Sequence, residues 1–294
     1  MDFPVPIAED LAIALGIAQG ESAFILKPHV VENDRITNVN AFVSRLAHLP
    51  KPEQDAILSE FSAKYLPAMM DRWATDLLPT TGFPREYFVL VNGYFWAVRI
   101  IYRLPYFGKF LMSKEPIAAP GKHFVTSLGA RLTLFGLFHL PLPTEPPLQE
   151  GIEDFYLHPV FLAVTMLATI LCMSSKRIER GKRVDISNEV LNSLLSLLDA
   201  WRNQRGHQDL ADASNQLHWL LSSRSDDTRQ CSRAMRKFYD NSSQCGLPGC
   251  EETENLKACA RCLTVYYCCP EHQRAHWNSK ESPPHKPVCF QTAY

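Results

Sequence analysis

The feature that most constrains this chain is a run of paired sulfur and imidazole donors near its end. Of nine cysteines, seven lie between Cys245 and Cys289, and none occurs before residue 172. The donors read as Cys245-x4-Cys250, Cys259-x2-Cys262, Cys268-x3-His272 and His285-x3-Cys289. Each close pair delivers two ligands from one knuckle or helical turn at little entropic cost, so four pairs suit two tetrahedral zinc ions. Such a short segment buries little apolar surface, and bound metal is expected to supply most of its folding free energy. Eight protein donors would saturate both ions, which points to structural rather than catalytic zinc.

A disulfide framework is the competing use of clustered cysteines. The opening MDFPVPIAED carries acidic residues and no basic lead, so it does not read as a secretory signal, and disulfides leave the paired histidines unexplained. A reducing compartment, cytoplasmic or nuclear, is the expectation. Cys172 and Cys231 stand in apolar or helical surroundings and read as packed free thiols. Cys269 directly follows Cys268 and is expected to point away from the metal. His276 remains a possible substitute ligand should His285 fail to reach.

Residues 245 to 289 resemble the MYND zinc finger family. The resemblance rests on Cys245 and Cys250, Leu256 ahead of Cys259 and Cys262, the run Val265-Tyr266-Tyr267-Cys268, then Gln273, Trp277 and the closing His285-Lys286-x-x-Cys289. It implies interleaved ligand pairs, with one zinc on Cys245, Cys250, Cys268 and His272 and another on Cys259, Cys262, His285 and Cys289. It also implies a protein-protein interaction module in transcriptional or signalling regulation, whose partner is a peptide, in several members proline-rich, contacted by Gln273 and Trp277. A core role for Trp277 competes with peptide contact, and one indole can serve both.

Two departures stand out. His272 occupies a position where the family carries cysteine, and seven residues separate Trp277 from His285 where two are usual. Imidazole is an accepted zinc donor, and a residue four positions after Cys268 returns to the same side of a helical turn. The inserted SKESPP region, polar and proline-containing, is expected to loop out.

The rest of the chain predicts a mainly α fold: a large all-α domain over residues 1–240, then the finger over 245–289. In the segment from Thr37 to Leu49, Val39, Phe42, Val43 and Leu46 form one apolar stripe with Thr37 as the expected cap. Ile57, Phe61 and Tyr65 repeat the pattern after Pro52. Ser187 is placed to cap a helix carrying Val190, Leu191, Leu194, Leu195, Leu198 and Trp201, and Asp209 opens one with Leu210, Ala213, Leu217 and Leu220. Prolines at 50, 67, 79, 84, 105, 116, 120 and 159 are expected to break the remainder into short pieces. The stretch LPLPTEPPLQ, residues 140–149, reads as a stiff connection.

Charge and motifs narrow the function classes. The formal net charge is −1, and within the finger Lys257, Arg261, Arg274, Lys280 and Lys286 are balanced by Glu251, Glu252, Glu254, Glu271 and Glu281, which disfavours nucleic acid as a partner. The basic run Lys176, Arg177, Arg180, Lys182 and Arg183 reads as a solvated linker, with a nuclear-localisation signal as the alternative. Residues 155–175 contain no charge, yet His158, Pro159 and scattered threonines favour a buried helix over a membrane span. Fingers of this family also occur within SET-domain lysine methyltransferases. Here five residues follow Cys289, and neither a SET-like Asn-His motif, a Gly-rich phosphate loop nor a Gly-x-Ser-x-Gly elbow is found, so the chain is expected not to be an enzyme. The alternative is a SET-independent enzyme or a methyltransferase-like protein carrying the finger as an accessory.

Overall fold

A computed structural model describes residues 4–27, 29–75, 89–139, 152–174, 186–203, 207–223, 226–240 and 244–294. The proline-rich stretch 140–149 and the basic run from Lys176 to Arg183 lie outside the described residues. Helices dominate: α1 (Ala8–Ala14), α2 (Glu32–Leu46), α3 (Lys51–Thr75), α4 (Gly93–Ile101), α5 (Pro105–Met112), α6 (Ala119–His139), α7 (Ile152–Ser174), α8 (Asn188–Arg202), α9 (Gln208–Ser222) and α10 (Asp226–Asp240). The finger adds β1 (Lys257–Ala258), β2 (Tyr266–Tyr267) and α11 (Pro270–Trp277).

Helices α1 to α4 pack among themselves, as do α6 to α9, and α3 joins the two groups by lying against α6. A continuous apolar core runs through both, from Leu11 and Phe42 through Trp73 and Phe107 to Leu171 and Trp201. Local signals explain several of these elements. The Ser187 hydroxyl accepts from the Val190 amide at 3.3 Å, and Leu191, Leu194, Leu198 and Trp201 then bury one face of α8. That face fits against α6 because Gly136 carries no Cβ: one built there would lie 2.7 Å from Trp201 Cζ2.

Two local expectations are corrected. Thr37 does not cap α2, which begins five residues earlier at Glu32; its hydroxyl instead donates to the Asn33 carbonyl at 2.8 Å. The reason is a buried network: Arg35 meets Glu32 at 2.9 Å, the other Glu32 oxygen accepts the Gly93 amide at 2.8 Å, and the guanidinium lies over the Tyr94 ring. Nor do all the prolines break helices. Pro67 lies inside α3 and Pro159 inside α7, and Pro67 is itself buried. Tertiary burial of those faces outweighs the lost hydrogen bond.

Among the described residues no helix is long and apolar enough to cross a membrane. Residues 244–294 pack on the helical body through the 3-10 turn Lys286–Val288, which meets α3, and through Ala63 and Tyr106, which join the finger's own core of Cys245, Cys259, Cys262, Tyr267 and Cys289.

Candidate metal centre

The first half of the finger is held by backbone bonds. The Cys245 amide donates to Glu252 O at 2.9 Å, the Gly246 amide to Tyr266 O at 2.7 Å, and the Cys259 amide to Val265 O at 2.8 Å. β1 and β2 pair antiparallel, with Lys257 opposite Tyr267. Leu263 turns the Cys259–Cys262 knuckle with a left-handed φ of 59°, and the Thr264 amide then points at Cys262 Sγ, 3.5 Å away. Helix α11 opens with Pro270, where a missing amide hydrogen is harmless, and its first turn carries His272 back toward Cys268.

These elements bring the eight predicted donors into two groups: Cys245, Cys250, Cys268 and His272 in one, and Cys259, Cys262, His285 and Cys289 in the other. Within each group the donor atoms lie within 4.8 Å of one another, and the cysteines are free. The spacing tests whether zinc fits. A tetrahedron with ordinary zinc–sulfur and zinc–nitrogen distances has edges of about 3.8 Å between sulfurs and about 3.6 Å between sulfur and nitrogen. Cys250 and Cys268 sulfurs are 3.9 Å apart, and Cys259 and Cys289 sulfurs 3.8 Å. His272 Nδ1 lies 3.6 Å from Cys245 Sγ and 3.1 Å from Cys268 Sγ, while His285 Nε2 lies 3.4 Å from Cys262 Sγ. Both groups therefore fit a tetrahedral dication with three thiolates and one imidazole, His272 offering Nδ1 and His285 offering Nε2.

Electrostatics point the same way in the second group. Interaction with the neighbouring Cys289 thiol holds the Cys262 pKa below the usual thiol value and that of Cys289 above it. A cluster that already favours a thiolate suits a divalent cation. All four of its donors are buried, whereas three of the first group are half-buried.

The residues left open by the sequence now have places. Cys269 caps α11 outside both groups, its sulfur 4.0 Å from Cys268 Sγ. His276 lies outside both groups. Its Nε2 faces the Pro283 carbonyl at 3.2 Å and must carry the proton, so Nδ1 accepts from the Tyr267 hydroxyl at 3.0 Å. Burial also holds its pKa below the usual histidine value, consistent with this neutral tautomer. The inserted 278–284 loop is thereby tied to β2, and its far end delivers His285.

Gln273 and Trp277, the expected peptide contacts, both support the second metal site. The Gln273 Nε2 donates to Cys259 Sγ at 3.5 Å, and the Trp277 ring stands edge-on to His285 with centroids 5.9 Å apart. They also line a groove of about 710 Å³ with Cys259, Ala260, Arg261 and Pro270. Three contributors escaped sequence reasoning altogether: Tyr106, Lys109 and Tyr294, which connect the finger to the helical body. Nothing local to these residues signals that role.

Residues 243–289 match the family described as MYND finger, a zinc-binding protein-interaction domain. Over 40 residues in this region the chain is 48% identical to human Egl nine homolog 1, which is 14% of this chain and 8% of that protein. The mouse Egl nine homolog 1 is 48% identical over 40 residues, covering 9% of its length. The chain thus spans less than a tenth of the length of these curated relatives. No solved structure matches the chain.

Proposed function

We propose that this chain is a non-catalytic interaction protein, acting in transcriptional or signalling regulation, whose finger holds an extended, proline-containing segment of a partner protein. The observation that carries this reading is the groove in which the Trp277 indole and Pro270 lie beside the Gln273 amide. An indole offers a broad apolar platform for proline rings. An extended proline-rich backbone makes no internal hydrogen bonds, so its carbonyls are free to accept from an amide. One Gln273 N–H is directed to Cys259, and a side-chain amide has a second N–H and a carbonyl to offer. Arg274 is neutralised by Glu271 at 2.5 Å, so this part of the rim presents no strong net field. Four protein donors in each metal group leave no open coordination position for water or substrate, which supports a structural use of both ions.

The test is an array of proline-rich peptides probed with the zinc-loaded full chain. Retention of a subset in the micromolar range, lost in Trp277→Ala while two zinc ions remain bound, is the expected result. Peptide retention that is identical for the parent and the zinc-loaded variant would place recognition on another surface.

A further inference from the structure

We propose that the metal site formed by Cys259, Cys262, His285 and Cys289 is the joint that clamps the finger to the helical body, so that its occupancy controls the stability of α5 and the middle of α3. The hydroxyl of Tyr106, on α5, sits between residues that flank the ligand Cys289. It donates to Val288 O at 2.8 Å and accepts from the Phe290 amide at 2.7 Å, with Phe290 O at 3.2 Å. One turn later Lys109 Nζ donates to the carbonyl of the ligand Cys262 at 3.1 Å and to Thr292 Oγ1 at 2.5 Å. Past the last ligand, the Tyr294 ring stands edge-on to Phe110 at 5.1 Å, and its hydroxyl donates to Ser62 O at 2.8 Å. Tyr106 and Tyr294 are 2% and 6% exposed, so these polar groups have no water to fall back on.

Two side chains of the body, Tyr106 and Lys109, thus converge on the backbone around two ligands of one site, and Tyr294 in the tail reaches back to the body at Ser62 and Phe110. With a metal ion bound, Cys262 and Cys289 would be held relative to each other, and with them the carbonyls and amide that satisfy Tyr106 and Lys109. When those partners move, a buried hydroxyl and a half-buried ammonium lose their hydrogen bonds, which is costly in the interior. The hydrogen bonds of Tyr106 and Lys109 go to residues at or beside Cys262 and Cys289 and not to the donors of the other site, three of which are half-buried.

Hydrogen exchange on the full chain tests this. In Cys289→Ser, amides of residues 106–112 are expected to exchange at least about tenfold faster than in the zinc-loaded parent, whereas Cys250→Ser leaves them unchanged. Equal acceleration in both variants, or none in either, overturns the proposal. Tyr106→Phe removes only the hydroxyl and is expected to keep two zinc ions while accelerating exchange in the same helix. Parent-like exchange in that zinc-replete variant equally refutes a joint at this residue.

Discussion

The Tyr267 hydroxyl and His276 Nδ1 lie 3.0 Å apart, and this bond takes His276 out of contention as a metal ligand. With Nε2 committed to the Pro283 carbonyl, both ring nitrogens are used. His276→Ala is expected to retain two zinc ions per chain and to loosen the 278–284 loop, while His285→Ala drops to one. Elemental analysis of the purified variants distinguishes the two, and zinc loss from His276→Ala would contradict the assignment.

Adjacent cysteines should behave differently for the same reason. Cys268 belongs to the first metal group and Cys269 to neither. Cys268→Ser is expected to lose one ion and Cys269→Ser none, as read by zinc content under a competing chelator. Equal losses would mean that the two thiols exchange roles.

His272 reaches its site through Nδ1 from the first turn of α11, 3.1 Å from Cys268 Sγ. A thiolate is an equally good donor there, so His272→Cys should keep both ions, and His272→Ala should lose one. The competition constant of a chromogenic chelator measures the difference.

Neighbouring side chains leave no room for a methyl group at Gly246 and Gly136. A Cβ on Gly246 would lie 2.4 Å from Val265 Cγ1, and one on Gly136 would lie 2.7 Å from Trp201 Cζ2. Gly246→Ala should weaken zinc retention, and Gly136→Ala should cost about 1–3 kcal/mol in denaturant unfolding without changing zinc content.

The buried Glu32–Arg35 pair predicts an asymmetric response. Arg35→Met removes the cation 2.9 Å from a Glu32 carboxylate that is 1% exposed and should cost about 3–5 kcal/mol in urea unfolding. Glu32→Gln keeps an acceptor for the Gly93 amide, and although its NH2 then faces the Arg35 guanidinium, that cation still lies over the Tyr94 ring, so the cost should be smaller.

Much of this protein was legible before any coordinates. The eight donors that converge in two groups could be named because a zinc knuckle is a local object: both donors of a pair sit within a few bonds of the same turn. Their interleaving was available through family resemblance, and the apolar stripes of α8 and α9 followed from helical periodicity alone. Ser187 was readable as a cap, since capping too is decided within one turn.

Where sequence reasoning failed, a distant partner decided the outcome. α2 starts at Glu32 because its carboxylate finds Gly93, 61 residues away, and no local pattern announces that bond. The proline inside α3 survives because its helix is buried against α6 and the finger, a gain that propensity does not contain.

Sequence alone determined which atoms could bind metal and that the bulk of the chain is helical, since both depend on spacings of a few residues. Tertiary structure alone decided that His276 bonds Tyr267 and Pro283, that Gln273 braces Cys259, and that Tyr106 meets Val288 across 182 residues of chain. Those choices depend on which surfaces pack together, and packing is a property of the whole chain's burial rather than of any segment within it.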